Sequence, residues 1–502
     1  MLKRVIGLAL AITLFAGETL SVPMQTYAVE KKTEKVIDGN DSYDSATFLD
    51  VNGNVTEILS DNDDVDYYQL HSYSNGTLSI YFQHTYEEYD DGWKVAIYKY
   101  ENGEYVQLSE NVVQLNANEN LELPFVGMVS DATYYIKVER QYWKSVGKSY
   151  SIRTSFQATE YCEKETNDSY ATATKIGMGY DYAGVLNSNS DEDIYRLDAT
   201  QDGKISLNFS HIYMESSAGW NVQTYKYENG EYVKLSDTNI QLNSGENVSL
   251  PYIGANQGGI YYIRVKRIYW DSVGVKYMIK PVFQASNYYE KETNDTYVNA
   301  TNINIGCKYR GVLNRSEDSD YWKFETDRDG AVDIYFDHEY EDSSAGWNVY
   351  VYEYTNGEYK ELDNKMLTLR DGSKTQKIFR FEIDKNQIYY IKVTRYYWDS
   401  VGCEYAINVK YTLGGSWGLT CKTNKKSATL KWGNTWGAQR YEVYCKNGGD
   451  SYKKIADTSK KSYTYKKLSK KKYSYFKVRP YMVINGKKVY GKYSLAVKTR
   501  AR

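Results

Sequence analysis

Proline is almost absent from this chain, at 5 of 502 residues. That excludes proline-rich spacers and polyproline segments. Cysteine is equally scarce. Cys162, Cys307, Cys403, Cys421 and Cys445 do not recur at equivalent places in the repeats described below, which excludes a repeat-defining disulfide framework. Cys421 and Cys445 fall in the same terminal region and are the one candidate pair. No Cys-x-x-Cys spacing occurs, so a thiolate metal site is excluded as well. A Leu-Pro-x-Thr-Gly sorting pentapeptide is missing, and no terminal membrane anchor is expected. Long apolar runs are missing too, with one short exception. Val5 to Ala16, preceded by Lys3 and Arg4 and followed by Thr26-Tyr27-Ala28, reads as a secretory signal over residues 1–28. It is too short to span a membrane, and no later segment qualifies. The mature protein is expected to be extracellular.

Helical periodicity is also wanting, while tyrosine reaches 56 residues, a balance that favours β structure. The formal charge of −3 hides a partition. Residues 417–502 carry 23 Lys+Arg and 3 Asp+Glu, and the remainder carries 39 and 62. A net +20 region beside a net −23 region implies separate domains with different electrostatic tasks.

An acidic string organises the acidic part. Glu163-Lys164-Glu165-Thr166-Asn167-Asp168 returns as Glu290-Lys291-Glu292-Thr293-Asn294-Asp295, and a weaker form stands earlier as Asp38-Gly39-Asn40-Asp41. The Asn-Asp pairs are spaced by 127 residues, and each is followed 25 residues later by an Asp: Asp66, Asp193 and Asp320. Those residues close the acidic turns that also hold Asp64, Asp191 and Asp318. A fixed period of this length means a repeated domain. Carboxylates and amide oxygens brought from two loops suit a hard cation, and calcium takes six to eight oxygen ligands. All these residues are therefore candidate calcium ligands: Asp38, Asn40, Asp41, Asp64 and Asp66 in the first repeat, Glu163, Glu165, Asn167, Asp168, Asp191 and Asp193 in the second, and Glu290, Glu292, Asn294, Asp295, Asp318 and Asp320 in the third. The plainer alternative is a capped turn beside a solvated acidic loop.

The repeats are placed at 34–157, 161–284 and 288–412. In the first, Leu78, Ile80 and Phe82 alternate with polar residues, and Trp93, Val95 and Ile97 open a further strand. Tyr98 to Tyr105 reads as a hairpin around Asn102-Gly103. Tyr134 to Val138 and Tyr150 to Phe156 are expected to form a final strand pair. About eight short strands at this spacing suggest a β-sandwich. Without a flexible spacer between them, the repeats are expected to stack semi-rigidly. Gly414-Gly415-Ser416 reads as a linker. Ala428–Trp432, Arg440–Tyr444 and Tyr475–Arg479 read as strands of a smaller sandwich over 417–502, with Asn485-Gly486 turning its last hairpin.

The repeats resemble the bacterial pre-peptidase C-terminal family, which includes the collagen-binding domains of clostridial collagenases. The matching residues are Glu-x-Glu-x-Asn-Asp, Gly184-Val185-Leu186 and Gly311-Val312-Leu313, the Asp-x-Asp turn with its aromatic, and the Tyr-Tyr-Ile-(Lys/Arg)-Val strand near each repeat's end. The resemblance covers roughly three quarters of the chain. It implies jelly-roll-like sandwiches with calcium near the N-terminal segment of each, in domains that usually accompany a secreted peptidase. Repeat one departs from the pattern: Val36 and Asp38 replace the two glutamates and Glu57 replaces the glycine. Its site is expected to be weak or absent. Residues 417–502 resemble fibronectin type III modules of secreted Gram-positive bacterial proteins, through Ala428-Thr429-Leu430-Lys431-Trp432, Tyr441-Glu442-Val443-Tyr444, Val478-Arg479-Pro480-Tyr481 and Asn485 to Gly491. That implies a spacer or binding module. The expected architecture is all-β: three tandem jelly-roll-like sandwiches followed by a smaller fibronectin type III-like one.

His84, His211 and His338 recur after Phe82, Phe209 and Phe336, but each repeat offers only one, and a structural histidine is the favoured reading. Arg140, Arg267 and Arg395 precede Trp143, Trp270 and Trp398 by three residues in each copy. By strand alternation Ile136, Val138 and Tyr142 share one face, with Trp143 on the other. An Arg-Trp pair on a surface is a candidate ligand-binding anchor for a sugar or a proline-rich helix, and cross-strand packing is the alternative. Lys470-Lys471-Lys472 and its surroundings are expected to attract anionic cell-wall polymers; no nucleic-acid motif is present. The sequence reads best as a secreted, non-catalytic, calcium-binding adhesion or substrate-binding protein for an extracellular protein or polysaccharide. The competing readings are an accessory polypeptide of a secreted peptidase or other hydrolase, and a cell-surface structural spacer.

Overall fold

The computed structural model describes residues 39–84, 92–114, 120–211, 219–241, 247–338, 346–368, 375–397, 400–415 and 418–501. The leader expected at 1–28 lies outside them, as do Val36 and Asp38. Among the described residues there is no α-helix, only strands and short 3-10 turns, and no helix long and apolar enough to cross a membrane.

The first unit has ten strands: β1 Thr47–Phe48, β2 Asn54–Ile58, β3 Val65–Ser72, β4 Gly76–His84, β5 Trp93–Glu101, β6 Glu104–Val113, β7 Asn120–Glu122, β8 Val126–Met128, β9 Ala132–Arg140 and β10 Ser149–Ala158. One sheet runs β1-β3-β9-β5-β6, and the other runs β2-β10-β4-β7 with β8 also on β4. Alternation fixes what each strand buries. On β3 the inward residues are Asp66, Tyr68, Leu70 and Ser72, and on β4 they are Leu78, Ile80, Phe82 and His84. These pack with Trp93, Val95, Ile97, Ile136, Val138 and Tyr150 in a single core between the sheets. Two further units repeat this order, each with its own core, except that in the third a single strand, Thr375–Ile383, takes the place of β7 and β8.

The hairpin at Asn102-Gly103 is present, with φ of 53° and 88°, and it recurs at Asn229-Gly230, Asn356-Gly357 and Asn485-Gly486. These are the left-handed values a tight hairpin turn needs. Two expectations are corrected. β9 and β10 do not pair with each other. β9 sits between β3 and β5, and β10 between β2 and β4, on opposite sides of the core. Sequence neighbours therefore lie in different sheets. Tyr142 does not share the face of Ile136 and Val138, because β9 ends at Arg140 and leaves Tyr142 exposed.

The tyrosines have a local use. Tyr43, on a 3-10 turn just after Asn40-Asp41, stacks on Tyr105 at 3.6 Å, and Tyr67, Tyr98 and Tyr135 surround it. Tyr170 on Tyr232 and Tyr297 on Tyr359 repeat the contact at 3.8 and 3.7 Å. Each stack pins the acidic string against the outer sheet face.

The last domain pairs a sheet of Thr420–Thr423, Ala428–Lys431 and Ser462–Tyr465 with a second sheet built on Arg440–Asn447 and Ser474–Ile484. Leu430, Trp432, Val443, Phe476 and Val478 form its core. Gly414 and Gly415 do not act as a loose tether: Thr435 Oγ1 donates to Gly415 O at 3.2 Å, and Trp436 Nε1 donates to Ile383 O of the third unit at 2.9 Å. All five cysteines are free thiols, so Cys421 and Cys445 do not pair.

Candidate metal centre

The acidic strings open units two and three. Their main chain bonds to its own unit at Glu163, Asn167, Glu290 and Asn294, but at Glu165 and Glu292 it is held by the unit before. Glu165 N–H donates to Gly127 O at 3.3 Å, and the Lys99 ammonium donates to Glu165 O at 2.8 Å. At the next junction Glu292 N–H donates to Gly254 O at 3.3 Å, and Lys226 donates to Glu292 O at 2.6 Å. Gly127 and Gly254 have to be glycine, since a Cβ there would stand 2.2 and 2.3 Å from the carbonyl oxygens of Glu163 and Glu290.

The side chains of the string point the other way, into the following sandwich. Glu163, Glu165 and Asp193 bring carboxylate oxygens within 4.8 Å of one another, and Glu290, Glu292 and Asp320 do the same; all six residues are buried. Asp193 arrives by alternation on the strand Glu192–Asp198, inward like Tyr195 and Leu197. Tyr277 donates its hydroxyl to Asp193 Oδ2 at 2.6 Å, and Tyr405 does so to Asp320 Oδ2 at 2.5 Å. Val185 N–H donates to Glu163 Oε2 and Val312 N–H to Glu290 Oε1, both at 3.0 Å. Asn167 Nδ2 donates to Asp193 Oδ1 at 3.2 Å.

After these bonds an orphaned set remains, almost all of it oxygen. Glu163 Oε1, Glu165 Oε1, Asn167 Oδ1 and Asn187 Oδ1 have no hydrogen-bond partner in unit two. Glu290 Oε2, Asn294 Oδ1 and Nδ2, Asn314 Oδ1 and Asp320 Oδ1 have none in unit three. Among the described residues no Lys or Arg forms an ion pair with any of the six carboxylates. Burial and mutual repulsion push the acids far up. Glu163, Glu165, Glu290, Glu292 and Asp320 stand well above the carboxylate range, and Asp193 is raised to about 7, in each case chiefly by desolvation. Buried acids that form no direct ion pair and carry unsatisfied oxygens fit a hard cation, and the absence of His and Cys from the cluster disfavours zinc and copper.

The remaining sequence candidates flank the clusters, and Asp318 among them is itself buried. Asp191 and Asp318 each accept a backbone N–H, from Asn187 at 2.5 Å and Asn314 at 2.6 Å, and burial raises Asp191 to about 10 and Asp318 to about 7. Asp168, which is exposed, accepts from Glu192 N–H at 3.4 Å, and Asp295 accepts from Ser319 N–H at 3.2 Å. In unit one Asn40 and Asp66 are buried, Asp64 caps Ser60 N–H, and Asp41 is exposed. Sequence reasoning missed Tyr277, Tyr405, Asn187 and Asn314. The signal for the asparagines was present, since each directly follows the Gly-Val-Leu triplet.

The proposed ligand anchors behave differently. Arg140 Nε donates to Asn62 O at 2.6 Å, Arg267 Nε to Asn189 O at 2.8 Å and Arg395 Nε to Ser316 O at 2.6 Å. Each arginine thus clamps the acidic turn of its own unit. Trp398 lies outside the described residues, as do the side chains of Trp143 and Trp270. His84, His211 and His338 pack on Trp93, Trp220 and Trp347 at 4.6, 4.5 and 5.4 Å, as core histidines would.

No protein-family model matches the chain. A 205-residue stretch, 39% of the chain, is 25% identical to Collagenase ColT of Clostridium tetani (strain Massachusetts / E88), of which it spans 20%. Among solved structures the chain is similar to a pre-peptidase C-terminal domain of a collagenase from Bacillus anthracis, with 18% identity and a TM-score of 0.17 over 22% of this chain and 94% of that one. It is also similar to a segment of two fibronectin type III domains from chicken tenascin, with 11% identity and a TM-score of 0.20 over 35% and 95%.

Proposed function

We propose that this is a secreted, non-catalytic, calcium-stabilised binding protein that attaches to an extracellular protein polymer of the collagen type. The observation that carries the calcium reading is the pair of buried three-carboxylate clusters with orphaned oxygens. Glu163, Glu165, Asn167 and Asp193 would hold one ion, and Glu290, Glu292, Asn294 and Asp320 the other, with backbone carbonyls or water completing each shell. The limited match to a collagenase supports an extracellular protein as ligand. Three weak contacts in tandem would gain avidity from their effective concentration. A polysaccharide ligand is the second outcome of the same experiment, which is pull-down of the chain against collagen, peptidoglycan and polysaccharides, with calcium or with a chelator. Retention on collagen in calcium, lost in chelator, is the expected result. Failure to bind any of them returns the chain to the reading of a structural spacer.

A further inference from the structure

Glu57 stands where the other units carry Gly184 and Gly311. Those glycines lie opposite Tyr277 and Tyr405 in the sheet, and Glu57 lies opposite Tyr150 on the same rung. A Cβ built on Gly311 would stand 2.6 Å from Glu290 Oε2 and 2.6 Å from the Tyr405 hydroxyl. A side chain leaving the backbone at this rung therefore enters the volume that the linker glutamate's carboxylate occupies in unit three. In unit one the corresponding linker position is Val36, which brings no carboxylate. By sequence the unit lacks this linker acid, and it carries one on β2 at the rung that faces the linker glutamate in unit three.

The frame around Glu57 is the one seen in the other units. The Tyr150 hydroxyl donates to Asp66 Oδ2, and the Tyr68 and Tyr150 hydroxyls are 2.6 Å apart, against 2.7 Å for Tyr195 and Tyr277. Tyr67 N–H donates to Asn40 O at 2.9 Å, as Ile194 N–H donates to Asn167 O at 3.0 Å. Glu57 is 6% exposed, and its charge acts on both Asp66 and Tyr68. A second observation points to a ligand independently of the acids. Asn40 is 2% exposed, its side chain lies against Asp66 and Tyr68, and neither its Oδ1 nor its Nδ2 completes a hydrogen bond of proper geometry. A buried amide left in this state is costly unless something is bound to it.

We propose that unit one holds its own hard divalent cation between Glu57, Asp66 and Asn40, with Glu57 delivered by a strand of the sandwich in place of the linker glutamate. This rests on the calcium reading of units two and three. It replaces the sequence expectation of a weak or absent first site.

The test counts calcium bound to the full chain by equilibrium dialysis, alongside tyrosine-sensitised terbium luminescence. Three ions per chain are expected, falling to two in Glu57→Gln, with terbium emission reduced by about a third. Val36→Glu combined with Glu57→Gly is expected to return the count to three. Near-ultraviolet circular dichroism in chelator checks that Glu57→Gln is folded; if it is not, the parent count of three or two decides alone. Two ions in the parent overturn this inference and leave the calcium reading standing. Three ions in both the parent and folded Glu57→Gln overturn the role of Glu57. No bound ion overturns both readings.

Discussion

Three buried carboxylates whose oxygens lie within 4.8 Å of one another repel until a cation sits between them. Asp193→Asn is therefore expected to have opposite effects in two conditions. In chelator it removes repulsion and should leave unit two as stable as before or more so. In calcium at a hundredfold excess over Kd it should remove most of a linkage gain of about 3 kcal/mol. Thermal melts in the two conditions check the sign change, and a loss that is equal in both would mark Asp193 as purely structural. The protons supply a second prediction. Asp193 and Asp318 are raised to about 7 from the ordinary value of 3.8. The cation-free folded chain therefore keeps protons that the unfolded chain releases from about pH 4 upward. Its stability should fall as pH rises from about 4 through 7. Excess calcium displaces those protons and should abolish or reverse the slope, which denaturation at pH 5 and pH 8 would reveal. At this scale the sequence was readable where chemistry recurs in register: the repeated Glu-x-Glu-x-Asn-Asp string and the Asp-x-Asp turns contain all six carboxylates that cluster in units two and three. It was not readable where a side chain acts from an unpredicted rung. Tyr277 and Glu57 share their site with residues that only the pairing of strands brings near, and Glu57 looked like a lost glycine.

Among the elements, the linker that carries each acidic string decides how the units fit together. Its backbone lies on Gly127 or Gly254 of one unit while its glutamates complete the next. Gly127→Ala is expected to push the linker off its seat and to lower stability by about 1–3 kcal/mol, a usual range for overpacking. Chemical denaturation of the full chain would give that loss, and faster proteolysis near residues 158–162 would locate it. Intact resistance would show that the junction yields without strain. The hairpins were legible because Asn-Gly sets a backbone conformation by itself. The partners of β9 and β10 were not, because a sandwich sends consecutive strands to opposite sheets, and no local signal records that choice.

Over the whole molecule, charge is divided between an acidic array and a basic terminal domain. The aromatic rings of the basic domain are already paired with its cations: Lys477 lies 3.8 Å from the centre of the Tyr493 ring and Arg479 4.2 Å from that of Tyr490. Few ring faces are left for stacking, so attraction there should be mainly coulombic. Retention of the full chain on an anionic polymer column should fall steeply with added salt and disappear when residues 417–502 are deleted. Retention that persists at about 1 M salt, where the Debye length is about 3 Å, would require another mode of binding.

Tension applied to the two ends of the array would have to pass through the linkers. Between the first two units the load runs along Cys162 to Asn167, whose backbone at Glu165 is bonded to the unit behind and whose carboxylates sit in the cluster of the unit ahead. A cation there would act as a rivet driven through the joint, closing the path along which the strand would peel. Single-molecule pulling should show the force that opens units two and three rising with calcium, so that an anchored chain would grip hardest when the surrounding fluid is rich in the ion.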